Sequence, residues 1–289
     1  DKPWKVSYVD ADTDNRNFCQ LSLKEEAMLD FCKENFDKVI VVINSGNVME
    51  LGALDDEKID AVIYAPYTGQ TGANAIGKIL NGEVNPSGKT TDTFAYSTTE
   101  YAPYIKDALF TSYADSKQIA YTEDIYFGYK WYETADKEGY FTSNGTTYDK
   151  VVQYPFGYGL TYTSFEWTLK GVTVKADGQE TPSSLANGGE IKDKNTTVEV
   201  LVEVKNVGKV AGKEVVQLYT TAPYTKGGIE KPYVALTDFA KTQTLYPASE
   251  AGEDKPNSEI VKLSFEVYDI ASYDCYDKNN NGFKGYELE

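Results

Sequence analysis

The sequence predicts an α/β fold followed by an all-β fold: a partial open α/β domain with a mostly parallel sheet, then a β-sandwich. Three observations carry this. Ahead of the middle of the chain, unbroken β-branched runs alternate with helix-period segments. Beyond residue 165, strands alternate polar and apolar residues and are separated by turn signals at sandwich spacing. Between them, in Pro155-Phe156-Gly157-Tyr158-Gly159-Leu160-Thr161-Tyr162-Thr163-Ser164-Phe165, two glycines flank a tyrosine where the backbone needs a positive φ or a close approach, and a strand then begins.

The bulk properties fit this division. A length of 289 residues implies about two domains, and 41% hydrophobic with 25% charged residues is a globular composition. No apolar run approaches the roughly 20 residues that span a bilayer, so the chain is read as soluble, with no membrane partner. The net charge of −17 and pI near 4.5 repel a phosphate backbone and exclude nucleic acid. There is no histidine, which removes histidine-based triads and the commonest metal ligand. Cys19, Cys32 and Cys275 lack metal-ligand spacing, and their odd number argues against a disulfide framework. The 24 tyrosines suit either sugar stacking or the packing of β-domains. Asp1-Lys2-Pro3-Trp4 shows no signal-peptide pattern, and both ends read as cut.

Taken in order, residues 4–9 predict a short strand, followed by a polar turn from Asp10 to Asn17. Ser22 and Glu25 form an S-x-x-E capping box, and Met28, Phe31, Cys32 and Phe36 follow at helical spacing, so an amphipathic helix is expected over 22–35 with Cys32 buried. The runs Val39–Ile43 and Ala61–Ala65 are continuous rather than alternating, as for strands covered on both faces. Thr71 is expected to cap a helix bearing Ala75, Ile76, Ile79 and Leu80, closed by Gly82. Ligands of such sheets bind beyond the carboxyl ends of the strands. That rule nominates Asn44, Ser45, Tyr67 and Gln70 as substrate-binding candidates, although the same residues also serve as loop and helix-start chemistry. From Tyr96 to Ala120 no period is evident, and the aromatic stretch from Tyr121 to Tyr132 is expected to pack against another part of the molecule.

In the second half, strands are expected at Phe165–Lys175, Thr196–Val204, Glu214–Thr220 and Ile260–Val267, with Asp177-Gly178 as a turn. Asp277-Lys278-Asn279-Asn280-Asn281-Gly282 has the oxygen ligands and glycine that open a calcium loop, but position 12 is Leu288 where a bidentate glutamate is required. An Asn281-Gly282 hairpin turn accounts for the same residues. No metal and no cofactor are expected.

These stretches together resemble glycoside hydrolase family 3, the family of β-glucosidases, β-xylosidases and related exo-acting enzymes. The resemblance rests on Val41-Val42-Ile43-Asn44-Ser45-Gly46, on Gly69-Gln70-Thr71-Gly72-Ala73-Asn74-Ala75-Ile76, on residues 82–89, on Tyr121 to Lys130 and on Tyr154 to Tyr162. Residues 205–219, with Glu230-Lys231-Pro232, Leu236 and Phe239, are similar to that family's fibronectin type III-like domain. The resemblance implies three segments: 1–120 as the C-terminal part of the α/β sandwich domain, 121–164 as an aromatic linker and junction, and 165–289 as a truncated fibronectin type III-like domain. It implies a retaining β-glycosidase acting on a β-linked glucoside or related β-glycoside through two carboxyl groups roughly 5–5.5 Å apart.

The family's nucleophile resides on a (β/α)₈ barrel and its acid/base on a loop, and neither motif is found here. Asp10, Asp12 and Asp14 stand in a context unlike that loop, and Glu25 and Glu26 belong to the helix start. Glu123 and Asp124 are paired carboxylates, but adjacent residues of an extended segment face opposite ways. No catalytic residue is assigned, the barrel is a missing partner, and the chain alone is expected to be inactive. The alternative is a non-catalytic carbohydrate-binding or structural module reusing the same two domains. A fibronectin-type adhesion protein explains only the second half.

Overall fold

The computed structural model describes residues 16, 19–100, 123–176, 179–182 and 194–288, with 176 and 179–182 described by backbone alone. The expected first strand at 4–9, the acidic turn at Asp10, Asp12 and Asp14, the stretch 101–122 and the Asp177-Gly178 turn lie outside those residues. The chain forms two compact units, one of residues 1–81 with 90–158 and one of 82–89 with 159–289.

The first unit begins with α1 (Leu23–Asn35). Ser22 caps it as expected: its Oγ accepts the Glu25 N–H at 3.3 Å, and Glu25 Oε2 accepts the Ser22 N–H at 2.8 Å. Strands β1 (Ile40–Ile43) and β2 (Ala61–Tyr64) pair in parallel, Ile40 opposite Ala61 through to Ile43 opposite Tyr64. Asp60 fixes their start, accepting the Val39 N–H at 2.9 Å. Leu21, Leu29, Val39, Ile43, Leu51, Leu54 and Phe94 form the core between helix and strands.

Three expectations fail here for identifiable reasons. On α1, Leu29 is buried and Cys32 half-buried against the core, while Met28, Phe31 and Phe36 are exposed. The helix carries apolar residues on two faces, and only the Leu29–Cys32 face meets β1 and β2. β1 is likewise not covered on both sides, since Ile40 and Val42 are more than a third exposed. The helix α2 (Ala73–Leu80) takes Gly72 rather than Thr71 as its N-cap, with no side-chain cap bond. A backbone bond from Gly72 N–H to Thr68 O, 3.0 Å, tightens the entry instead. Gly82, at φ +78°, does follow the helix end as expected.

Beyond the pairing of β3 (Phe94–Ala95) with β4 (Val152–Tyr154), the end of the aromatic stretch enters α3 (Tyr129–Lys137), which is followed by α4 (Tyr140–Ser143) and α5 (Tyr148–Val151). Tyr132, Ala135, Phe141 and Val151 are buried among them together with Ala95 and Val152. Trp131 meets Tyr140 edge to face at 5.5 Å. Glu123 and Asp124 lie in a turn, with Asp124 at φ +51°, not in an extended segment. The seam glycines act in the two ways expected. Gly157 stands at φ +79°, and a Cβ on Gly159 would lie 2.1 Å from Gly88 O.

The second unit is antiparallel throughout its strand pairs. The strands β5 (Phe165–Ala176), β6 (Gln179–Pro182), β7 (Thr197–Asn206) and β10 (Ser258–Glu266) form one sheet in the order β10-β7-β5-β6. A pair of β8 (Val215–Thr220) and β9 (Ala235–Lys241) stands apart from it, and β9 was not among the expected strands. Val204, Val216, Leu245, Val261 and Leu263 from these strands and the 242–257 segment share one core. The alternation of Val198, Val200, Val202 and Val204 is what turns one face of β7 inward. A second pair, β11 (Ser272–Asp274) with β12 (Gly285–Glu287), lies at the end of the described chain.

Two asparagines lock this unit. Asn206, 1% exposed, donates to Leu245 O at 2.8 Å and Val210 O at 2.9 Å, and accepts from Thr163 Oγ1 at 2.8 Å and Gly208 N–H at 3.0 Å. Asn85 donates to Ala211 O at 3.1 Å and accepts from Thr161 Oγ1 and Tyr162 N–H, both at 2.8 Å. Lys89 reinforces the same segment through Glu214 at 3.1 Å and Gly159 O at 3.0 Å.

Asn206→Ala strands two carbonyls, a hydroxyl and an amide N–H at once, and is expected to cost on the order of 3 kcal/mol in urea denaturation followed in this unit. A second expectation concerns pH. Lys175 and Lys262 hold the Glu199 carboxyl below its ordinary value of 4.5. A depressed folded-state pKa contributes stability above the unfolded value that is lost as pH falls through the folded one. The stability difference between the natural chain and Glu199→Gln is therefore expected to be largest near pH 7 and to shrink as pH falls below about 4.5; a difference independent of pH would contradict the pairing.

Candidate functional site

Because β1 and β2 are parallel, their carboxyl ends open on the same side of the pair. Asn44, Ser45 and Gly46 leave β1 there, and the turn from Pro66 to Gln70 leaves β2. Asn44 is exposed. Ser45 is half-buried and bonds its own loop, Oγ accepting the Asn47 N–H at 3.2 Å and donating to Asn47 O at 3.0 Å. Tyr67 is held at φ +51° and is 83% exposed, with its ring laid on Gly46: a Cβ there would lie 1.8 Å from the Tyr67 hydroxyl. Gln70 is exposed on the turn that enters α2. The structure thus brings Tyr67 against the β1 loop that carries Asn44 and Ser45, while Gln70 stands further along the β2 loop.

Electrostatics add two residues that sequence reasoning missed. Burial pushes the Tyr64 phenol up, and negative charge at Asp92, followed by Tyr67, pushes it further. The Asp92 carboxyl is itself raised by desolvation. Tyr64 is the last residue of β2 and was reachable by the carboxyl-end rule; Asp92 lies in Thr90-Thr91-Asp92-Thr93, where no spacing marks it. The set comprises an amide from Asn44, the Ser45 hydroxyl, an exposed phenol and one carboxylate. It suits neutral hydrogen bonding and ring stacking. It does not supply the pair of opposed carboxyl groups that glycoside hydrolysis needs.

Other carboxylate groupings are used structurally. A pocket of about 330 Å³ lined by Glu26, Leu29, Asp30, Lys33, Asp55 and Asp56 lies beside α1, and none of the four expected residues lines it. Lys33 spans it, 2.8 Å from Asp30 and 3.0 Å from Asp56, and Arg16 pairs with Glu26, Nη2 to Oε2 at 2.6 Å. Burial raises the Glu123 carboxyl. The Tyr132 phenol is pushed up to about 12 by burial and then by Glu123 and Glu50. Among the described residues no group of three or more His, Cys, Asp or Glu side chains is arranged to hold a metal.

Comparison with known proteins bears on what this site belongs to. Residues 5–129 match the Glycosyl hydrolase family 3 C-terminal domain. The chain is 34% identical to a beta-glucosidase of Ruminococcus albus over 91% of its own length and 23% of the relative. It is 38% identical to Beta-glucosidase A of Butyrivibrio fibrisolvens over 88% of its length and 27% of the relative. Among solved structures it is similar to a beta-glucosidase from Paenibacillus barengoltzii, with a TM-score of 0.68 and 34% identity, covering 90% of this chain and 24% of that one. It is also similar to beta-glucosidase 3B from Thermotoga neapolitana in complex with glucose, with a TM-score of 0.65 and 30% identity, covering 88% and 30%. The chain thus spans about a quarter of the length of the curated relatives it matches.

The two loops of the site are held by different means, and substitution separates them. A Cβ on Gly72 would meet the Thr68 carbonyl oxygen at 2.1 Å, so Gly72→Ala is expected to cost about 2 kcal/mol by breaking the turn into α2. Gly46→Ala displaces only the exposed Tyr67 ring and is expected to stay within about 0.5 kcal/mol. Chemical denaturation of the two variants measures the contrast, and equal costs would refute it.

Proposed function

Because this chain belongs to glycoside hydrolase family 3, we propose that it forms the carboxyl-terminal part of a retaining, exo-acting β-glycosidase, a β-glucosidase, that removes a sugar from a β-linked glucoside. The observation that carries the reading is the similarity to proteins named β-glucosidases along nine-tenths of the chain. In this reading residues 1–120 are part of the α/β sandwich domain, 121–164 the junction, and 165–289 a fibronectin type III-like domain. The antiparallel sheets around one valine- and leucine-rich core support the last assignment.

The composition of the site supports a division of labour. A retaining mechanism requires one ionised carboxylate to attack and a second, protonated one to release the leaving group. Asp92 is the single carboxylate that the shifts of Tyr64 associate with the site. The catalytic pair is therefore assigned to the rest of the enzyme, on its barrel and acid/base loop. The share of this chain is to wall the sugar: the Tyr67 ring offers a face for stacking, and Asn44, Ser45 and Gln70 offer hydrogen bonds to hydroxyl groups.

Two measurements test the proposal. The purified 289-residue chain is expected to release no phenolate from an aryl β-glucoside, and turnover that survives rigorous purification would overturn the assignment of the catalytic pair. In the full-length enzyme, Tyr67→Ala is expected to raise KM about tenfold with little change in kcat, the pattern for lost uniform binding. An unchanged KM would remove Tyr67 from the sugar-binding wall.

A further inference from the structure

The first unit turns large apolar side chains to solvent along one continuous run of chain. On α1, Met28 and Phe31 are 63% and 59% exposed, and Phe36, which ends the helix, is 61% exposed. Ile40 and Val42 follow on one face of β1, and their ladder partners Ala61 and Ile63 carry that face across to β2. The opposite face, with Val41, Ile43 and Val62, is packed in the core. The helix is divided in the same way. Lys33 reaches Asp56 at 3.0 Å, so that flank of α1 faces the 52–56 segment. Phe31 stands about 160° round the helix from Lys33, on the flank turned to solvent.

Such a surface is at odds with the elements that make it. Parallel strands occur with both faces covered, because their crossover connections lay helices on them. Among the described residues β1 has β2 as its one strand partner, so its second edge is open as well as one face. Grouped methionine, phenylalanine and isoleucine side chains beside an open sheet edge mark a contact surface.

Two observations select what covers it. The chain aligns along about nine-tenths of its length with β-glucosidases of which it spans about a quarter, so most of such an enzyme lies outside it. A second copy is disfavoured by charge: each chain carries a net −17, and Glu34 and Asp37 stand exposed beside Phe31 and Phe36.

We propose that the part of the enzyme outside this chain packs on the surface formed by Met28, Phe31, Phe36 and the open face of β1. The inference rests on the reading of this chain as one part of a longer glycosidase, and adds which of its surfaces receives the rest. It also bears on the candidate site. β1 runs directly into Asn44 and Ser45, so the contact that covers the strand steadies the loop that walls the sugar.

The test compares the full 289-residue chain with the full-length enzyme. In the chain, Met28→Glu and Phe31→Glu replace exposed side chains on a helix and are expected to leave the thermal midpoint within about 2 °C. In the full-length enzyme each places a charge in an apolar contact and is expected to lower the midpoint by about 5 °C or more. If a glutamate variant of the full-length enzyme fails to fold, Phe31→Ala is read in its place, with a loss of about 3 °C expected there and no change in the chain. Equal effects in the two proteins would overturn the proposal. So would a dimer of the chain, seen by light scattering, that Phe31→Glu dissociates, since the surface would then belong to a second copy. The glycosidase reading fails by a different measurement, the absence of aryl β-glucoside turnover in the full-length enzyme, which leaves the stability contrast standing.

Discussion

Buried side-chain amides must find all their hydrogen-bond partners inside the protein, and in the second unit that requirement decides which strands of chain come together. Asn206 satisfies both donors and its acceptor oxygen with the 163, 208, 210 and 245 positions, joining the end of β7 to segments distant in sequence. Asn257 continues the pattern by donating to Asn206 O and Tyr246 O at 2.8 and 2.7 Å. Asn85 does the same for residues 82–89, which belong to this unit although the residues on either side of them belong to the other. The hydrophobic effect supplies the bulk stability of the Val204–Leu263 core. Directional amide bonds select one arrangement among those an apolar core would tolerate.

The same economy of polar groups shapes the candidate site. Several of the described carboxylates in the first unit are committed: Glu25 to the helix cap, Glu26 to Arg16, Asp56 to Lys33, Asp60 to Lys38 and the Val39 N–H, Glu50 to Gln20 and Thr98. What remains at the carboxyl ends of β1 and β2 is largely neutral. A surface of that kind suits hydrogen bonding to hydroxyl groups and ring stacking better than proton transfer or nucleophilic attack.

Legibility in the sequence followed the range of the interaction. The Ser22–Glu25 capping box, the parallel strand runs, the seam glycines and the alternation of β7 were all readable, because each is signalled by residues adjacent in sequence, even where the contact it serves is remote, as between Gly159 and Gly88. The exposure of Met28 and Phe31 was not, because helical periodicity marks apolar positions without saying which of two apolar faces meets a neighbour. The three short helices between Tyr129 and Val151 escaped notice because aromatic side chains obscure the period and their burial is shared among all three. At the candidate site, the topological rule nominated Asn44, Ser45, Tyr67 and Gln70 and passed over Asp92, which reaches Tyr64 only through the fold.

By itself the sequence determined the order of the α/β and all-β halves, the two principal strand runs of the first, and the family motifs they carry, since hydrophobic period and turn chemistry are local properties. Only the tertiary structure decided that Tyr67 lies on Gly46, that residues 82–89 join the second unit, and that Glu287 returns to the Asp277–Asn281 loop. Each of these pairs groups that are remote in sequence or separated by a loop of unknown path. Hydrogen bonds and steric fit between such groups leave no trace in local spacing.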